Sequence, residues 1–368
     1  MPQREKRTVV VAGASGVVGR AACEHFASLP GWRVIGISRG APEVEGIEHR
    51  ALDLNDRDAC VSALADLTAV THVVYAALFE KPGLFAGWRE QDQMQTNLAM
   101  LRNFMEPLAR AEALVHVSVL QGTKAYGAHV RPMKVPGKER EARVAHENFY
   151  WLQEDFIRDL ARTSRWSYTI WRPPLIVGHA IGAPMNVMSA LGVYAAVRRA
   201  ERKPFSWPGG VTGPIDAVDA RLLARAFAWA AGDEHGASSA ARNETFNVTN
   251  GDVVVTRNVW PALARAFGMD EGEPEPQRLA ETLPRKADVW DDVVRRHGLR
   301  APALARFTGD SLLYADMLLG AGRDAPPPSP LLSGVKIRKA GFADCIDSED
   351  MFVEWIERLQ QRRVFPPK

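Results

Sequence analysis

Cysteine is scarce and follows no pattern. Cys23, Cys60 and Cys345 are odd in number, far apart and without metal-ligand spacing. They indicate neither a disulfide framework nor a cysteine metal site, and read as free or buried thiols of a reducing compartment. Net charge is nearly absent, since 46 basic against 44 acidic residues leave +2, which gives no electrostatic footprint for nucleic acid. No apolar run reaches the length of a membrane span. The charged start, MPQREKR, passes into a β-forming run rather than the apolar segment of a leader. The expectation is a soluble, cytoplasmic protein without a nucleic-acid or membrane partner. At 368 residues the chain has enough sequence for one large α/β unit and a smaller lobe.

What the chain does have begins at Thr8. TVVVAGASGVVG runs from four β-formers into a small-residue turn and then into the apolar-periodic helix RAACEHFASL. Strand, glycine loop and helix in that order form a dinucleotide fingerprint. Gly13, Gly16 and Gly19 allow a tight turn and a close approach to a pyrophosphate, and Ser15, Val17 and Val18 carry the free N–H groups of the helix start. At the end of the second strand, where an acid usually grips the ribose of NAD, stand Ser38 and Arg39. No carboxylate repels a 2′-phosphate there, and the arginine fork can pair with one, so NADP(H) is favoured. A solvated turn arginine is the bland alternative.

The third strand empties at Asp53 and Leu54, with Asp53 read either as an adenine neighbour or as a helix-approach carboxylate. The fourth empties at Ala76 and Ala77, small enough to leave room for a ribose or nicotinamide. A long amphipathic helix is expected from Leu84 to Glu112, with Asn97 and Asn103 as structural or surface positions. The fifth strand carries Ser118, a further cofactor candidate, and opens into a loop with Lys124 and Tyr126. A helix bearing Tyr150 follows, and then a sixth strand, WSYTIWRPPLIVG, that includes Pro174. Six βα passages in sequence predict an α/β fold, a Rossmann-like doubly wound parallel sheet with a smaller, mostly helical C-terminal substrate-capping lobe. Residues 1–178 are assigned to the dinucleotide domain, with 213–250 returning to it. Residues 179–212 and 251–368 are assigned to the cap, and the VFPPK tail is expected to be exposed.

One pattern is missing. Short-chain dehydrogenases pair a tyrosine with a lysine four residues later on one helix, and no tyrosine of this chain has that lysine. A standard alcohol dehydrogenase, epimerase or dehydratase mechanism is therefore disfavoured. Instead NFYWLQEDF at 148–156, LQGTKAYG at 120–127, MNVMSALGVYAA at 185–196, ETFNVTNGDV at 244–253 and KAGF at 339–342 are taken together. This combination resembles the progesterone 5β-reductase and iridoid synthase family. Those atypical extended short-chain reductases add hydride from NADPH to the β-carbon of an enone. The resemblance implies that Tyr150 is the catalytic tyrosine, stabilising the forming enolate, and that Lys124 is its partner, biasing the phenol electrostatically and holding the nicotinamide ribose. It also implies that Met185, Asn186 and Phe342 line the substrate pocket. Trp151 stands where the family has a second tyrosine, and Pro174 where it tends to have glycine. Two other readings stay open: an NAD-dependent nucleotide-sugar epimerase or dehydratase, and a non-catalytic NADP-sensing binding protein. A homodimer is also left open.

Overall fold

A computed structural model describes residues 7–232 and 238–368. Strand and helix alternate as β1 (Arg7–Ala12), α1 (Val17–Ser28), β2 (Trp32–Ser38), β3 (Glu48–Ala51), α2 (Arg57–Leu64) and β4 (His72–Tyr75). Next come α3 (Gln91–Leu108), β5 (His116–Leu120), α4 (Phe149–Ala161), β6 (Ser167–Arg172) and β7 (Leu175–Val177). They are followed by α5 (Val187–Ala200), β8 (Ala217–Asp219), α6 (Ala220–Ala231), β9 (Glu244–Asn247) and α7 (Thr256–Phe267). The helices α8 (Leu279–Thr282), α9 (Ala287–His297), α10 (Leu304–Thr308), α11 (Ser311–Leu318), α12 (Val335–Lys339) and α13 (Ser348–Gln361) complete the chain.

Seven strands form one parallel sheet in the order β3-β2-β1-β4-β5-β6-β9. The doubly wound architecture expected from the sequence is the one observed. Valines dominate β1 because the strand is covered on both faces. Val10 and Ala12 pack on the side of α3, while Val9 and Val11 pack on the side of α1 and α6. Ala21 of α1 meets Ala220 and Ala224 of α6, small residues that let the two helices approach closely. A third core is helical: α5, α7, α9, α10 and α13 surround Tyr194, Phe205, Trp260, Trp290 and Phe307, with Phe205 stacked on Trp260 at 4.3 Å.

Three expectations need correction. The sixth run is not one strand. β6 stops at Arg172, and beyond Pro173-Pro174, which have no N–H to give the ladder, β7 pairs instead with β8 in a separate two-stranded sheet. The helix expected from Leu84 to Glu112 is shorter. Gly83 and Leu84 turn through positive φ of 83° and 57°, a short turn covers Gly87–Arg89, and α3 spans Gln91–Leu108. The tail is exposed only at its end, because Val364 and Phe365 are buried in the helical core while Pro367 and Lys368 are exposed. Asn97 is structural: its amide exchanges hydrogen bonds with both the N–H and the carbonyl of Phe79 at 2.9 Å. Cys23 and Cys60 are buried and Cys345 is exposed, all three as free thiols. No helix among the described residues is long and apolar enough to cross a membrane.

Candidate active site

The strand order reverses between β1 and β4, and a cavity of about 560 Å³ opens over the carboxyl ends of the strands there. Its floor is the glycine loop. Gly13 has φ +80°, and a Cβ on it would lie 2.7 Å from the Ala76 carbonyl oxygen. Gly19 lies behind the loop rather than in the cavity lining, and a Cβ there would lie 2.1 Å from the Gly13 oxygen. Gly16 caps α1 without a side chain, so no side chain covers the first N–H groups of that helix where Ser15, Val17 and Val18 line the cavity. A loop that side chains would block and a helix start without a side-chain cap fit a dinucleotide pyrophosphate.

The strand ends supply the rest of this half. Ser38 and Arg39, Asp53 and Leu54, and Ala76 and Ala77 all line the cavity. Ser38 donates its hydroxyl to the Gly40 carbonyl at 2.8 Å, and Asp53 accepts from the Asn55 N–H at 3.0 Å. Both side chains thus brace their own turns. Arg39 is exposed and free to reach outward from the end of β2.

Tyr150 and Lys124 come from different segments and are tied together by one asparagine. Asn148 caps α4: its carbonyl oxygen accepts from the Tyr150 N–H at 2.9 Å, and its amide donates to the Lys124 carbonyl. Beneath them Gln121 donates to the Tyr150 carbonyl at 2.8 Å and accepts from Arg172 at 3.1 Å. Arg172 in turn pairs with the buried Glu154 at 2.8 Å. The tyrosine at the start of α4 is therefore fixed to the end of β6 through side chains that are themselves paired.

The Lys124 ammonium sits 3.1 Å from Glu80 and 4.3 Å from the centre of the Trp88 ring, but 5.9 Å from the Tyr150 ring. Burial lowers its pKa, with Glu80 opposing. The Tyr150 phenol moves the other way: burial raises it, and the Glu80 charge raises it further. Lys124 is thus paired with Glu80, and burial favours the protonated form of Tyr150. Its hydroxyl makes no hydrogen bond among the described residues, and Gly122 leaves space beside it, a Cβ there lying 3.4 Å away.

Pro174 and Met185 line the same cavity. Three other residues singled out in the sequence do not. Ser118 is buried within β5. Asn186 is the N-cap of α5, its amide donating to the Ala180 carbonyl at 2.9 Å and its oxygen accepting from the Met188 N–H at 3.2 Å. Phe342 is buried under the sheet, its ring 5.7 Å from that of Trp229. The sequence reading missed Glu80, Trp88 and Tyr314. Glu80 follows the small-residue exit of β4, a position where a charged residue could have been noticed. Tyr314 on α11 adds a second phenol to the cavity; burial raises its pKa, and its hydroxyl has no hydrogen-bond partner among the described residues.

A doubly wound parallel sheet with a glycine loop and a crevice at its switch point is the fold of an extended short-chain dehydrogenase/reductase, and the tyrosine and lysine that meet over this cavity from separate segments depart from that class's usual pair on one helix. The protein is an oxidoreductase of that class. The chain belongs to the NAD dependent epimerase/dehydratase family, whose model matches residues 9–249. Among characterised proteins it is similar to the (S)-8-oxocitronellyl enol synthase of Antirrhinum majus, with 30% identity covering 97% of this chain and 92% of that one. With the 3-oxo-Delta(4,5)-steroid 5-beta-reductase of Arabidopsis thaliana it shares 28% identity over 99% of this chain and 94% of the other. These full-length likenesses bear out the resemblance carried by the five sequence motifs. Solved structures share the fold. The UDP-glucose 4-epimerase of Thermotoga maritima superposes with a TM-score of 0.64 at 15% identity, over 95% of this chain and 99% of its own. The Bordetella bronchiseptica enzyme WbmG, solved with NAD and UDP, gives 0.62 at 17% identity over 97% and 96%.

Proposed function

We propose that the protein is an NADPH-dependent reductase of activated C=C bonds, delivering hydride to the β-carbon of an enone while Tyr150 stabilises the enolate. The observation that carries this reading is the placement of Tyr150: a buried phenol, its pKa raised by burial, with no hydrogen-bond partner among the described residues, facing a cavity whose other walls include Phe79, Phe149, Met185 and Met317. A bound reduced nicotinamide dinucleotide supplies the hydride. Negative charge then grows on the substrate carbonyl oxygen, and a neutral phenol donor at that oxygen lowers the barrier without ionising. The hydroxyl of Tyr314 lines the same cavity.

In this reading Lys124, paired with Glu80 and set against the ring of Trp88, holds the nicotinamide ribose rather than ionising the tyrosine. Arg39, with no acid beside it at the end of β2, supports NADPH over NADH. The apolar walls suit a small or medium-sized enone. The relatives named as enol synthases and as a steroid 5-beta-reductase support the same chemistry. The test is incubation with NADPH and cyclohexenone, progesterone or 8-oxogeranial, with the products identified. A saturated ketone or aldehyde is expected; an allylic alcohol would show carbonyl reduction and contradict the reading.

A further inference from the structure

Lys124 does not lie on the helix that carries Tyr150. It belongs to a short turn, Thr123–Tyr126, and its ammonium ends a flexible four-carbon stem that no helix surface aims. Asn148 fixes only its backbone, by donating to the Lys124 carbonyl. An ammonium that is to meet one particular ribose therefore needs an anchor of its own.

Glu80 at the exit of β4 has the geometry of that anchor. Its side chain is 1% exposed, and its two oxygens have different partners. Oε1 accepts from the Lys124 ammonium at 3.1 Å, and Oε2 accepts from the Gln93 amide at 2.6 Å. Gln93 is fully buried on α3, and its own oxygen accepts from the Lys81 N–H at 2.9 Å. Asn97, one turn further along α3, holds the backbone of Phe79. The helix thus grips the chain on both sides of Glu80 as well as the carboxylate itself. Lys81 does not compete for Glu80, because it pairs with Glu90 and Asp92.

The remaining sides of the Lys124 ammonium meet the rings of Trp88 at 4.3 Å, Phe149 at 5.5 Å and Tyr150 at 5.9 Å. The titratable neighbours besides Glu80 are Tyr150 on α4 and His129 in the loop after Tyr126. Burial raises the Tyr150 phenol. Burial, with His146, Lys124 and Arg89 adding to it, lowers His129 to about 4. Both are neutral near pH 7, so Glu80 is the counter-charge of Lys124 among the described residues.

We propose that Glu80, held by Gln93, is a positioning residue for the cofactor: it keeps the Lys124 ammonium charged and in place to meet the nicotinamide ribose. One N–H of the ammonium goes to Glu80, which leaves donors for the ribose hydroxyls. Burial by itself lowers the pKa of this lysine, and the carboxylate opposes the loss of its proton. The inference rests on the reading that Lys124 holds the ribose, and it is independent of the substrate that accepts the hydride.

The test is NADPH binding by the whole protein without substrate, measured by calorimetry from about pH 7 to 10, where an unperturbed lysine begins to titrate. Without Glu80 the lysine loses its proton at lower pH, and affinity is lost as pH rises through that lowered pKa. Glu80→Gln should therefore lose affinity at a lower midpoint than wild type, falling about tenfold, as loss of one charge-assisted hydrogen bond implies. The double variant Glu80→Gln with Lys124→Met should bind at that lowered level at every pH. Glu80→Asp keeps the charge one methylene back, so it should bind several-fold more weakly yet hold the wild-type midpoint. A Glu80→Gln profile parallel to wild type would mean a merely structural role and overturn the inference, as would a Glu80→Asp midpoint displaced from that of wild type. Wild type that binds NADPH but reduces no enone would end the reductase reading and leave this inference standing; wild type that does not bind NADPH would overturn both.

Discussion

Replacing Tyr150 by phenylalanine removes one hydroxyl and nothing else that packs. The ring is 7% exposed and its centre lies 4.3 Å from that of Phe149, so the variant should keep the fold and the cavity shape. What it loses is a donor at the oxygen where charge develops. Deleting one such donor costs about 10²–10³ in kcat, or about 3–4 kcal/mol of transition-state stabilisation. The raised pKa of the phenol adds a second expectation. Because burial favours the neutral form, Tyr150 stays protonated through the neutral and alkaline range and contributes no alkaline limb to the wild-type rate profile. Steady-state turnover of cyclohexenone, measured across that range for both proteins, should give two profiles separated by a constant factor. Full kcat in Tyr150→Phe would refute the assignment. So would an alkaline loss present in wild type and absent in the variant, since it would mean that the tyrosine ionises.

Gly19→Ala should abolish dinucleotide binding measured by calorimetry, because a Cβ 2.1 Å from the Gly13 oxygen can be relieved only by moving the loop backbone; retained affinity would place the pyrophosphate elsewhere. Arg39→Ala should weaken NADPH by about tenfold or more while leaving NADH affinity nearly unchanged, as loss of a charged partner for the 2′-phosphate implies; equal effects on the two would remove Arg39 from cofactor choice. Asp216 is pushed up to about 6 from 3.8 by burial, although the Leu332 N–H bonded to it opposes the shift. The folded state then holds that proton more tightly than the unfolded chain, so this contribution to stability is complete below 3.8 and is lost as pH rises through about 6. Asp216→Asn should flatten that part of the melting-temperature profile and raise the melting temperature at neutral pH; parallel profiles for the two proteins would contradict the linkage.

The parts of this architecture that depend on close approach could be read from the chain. Gly13 and Gly19 are glycines because backbone fills the space where a side chain would go, and the small residues Ala76 and Ala77 mark the strand end that faces them. Arg39 and Asp53 were located for a similar reason, since a strand end in a parallel sheet has a fixed relation to the crevice. Motif likeness gave Tyr150 and Lys124 their place, but it could not say what surrounds them. Glu80, which pairs with the lysine and adds to the raised pKa of the phenol, comes from a different strand end. Asn186 stands directly before an apolar helix, and its ordinary role as an N-cap competes with any pocket role. KAGF is too short to show which face its phenylalanine buries, and Phe342 packs beneath the sheet. Pro173 and Pro174 lie inside an otherwise β-like run, and only their missing N–H groups disclose that the strand ends and changes sheets there.

Deuteride transfer tests the account's central claim most directly. With NADPH deuterated at the transferred position and cyclohexenone as acceptor, the account predicts a saturated ketone carrying the label on the β-carbon. A label on the carbinol carbon of an allylic alcohol would contradict it and assign the cavity to carbonyl reduction.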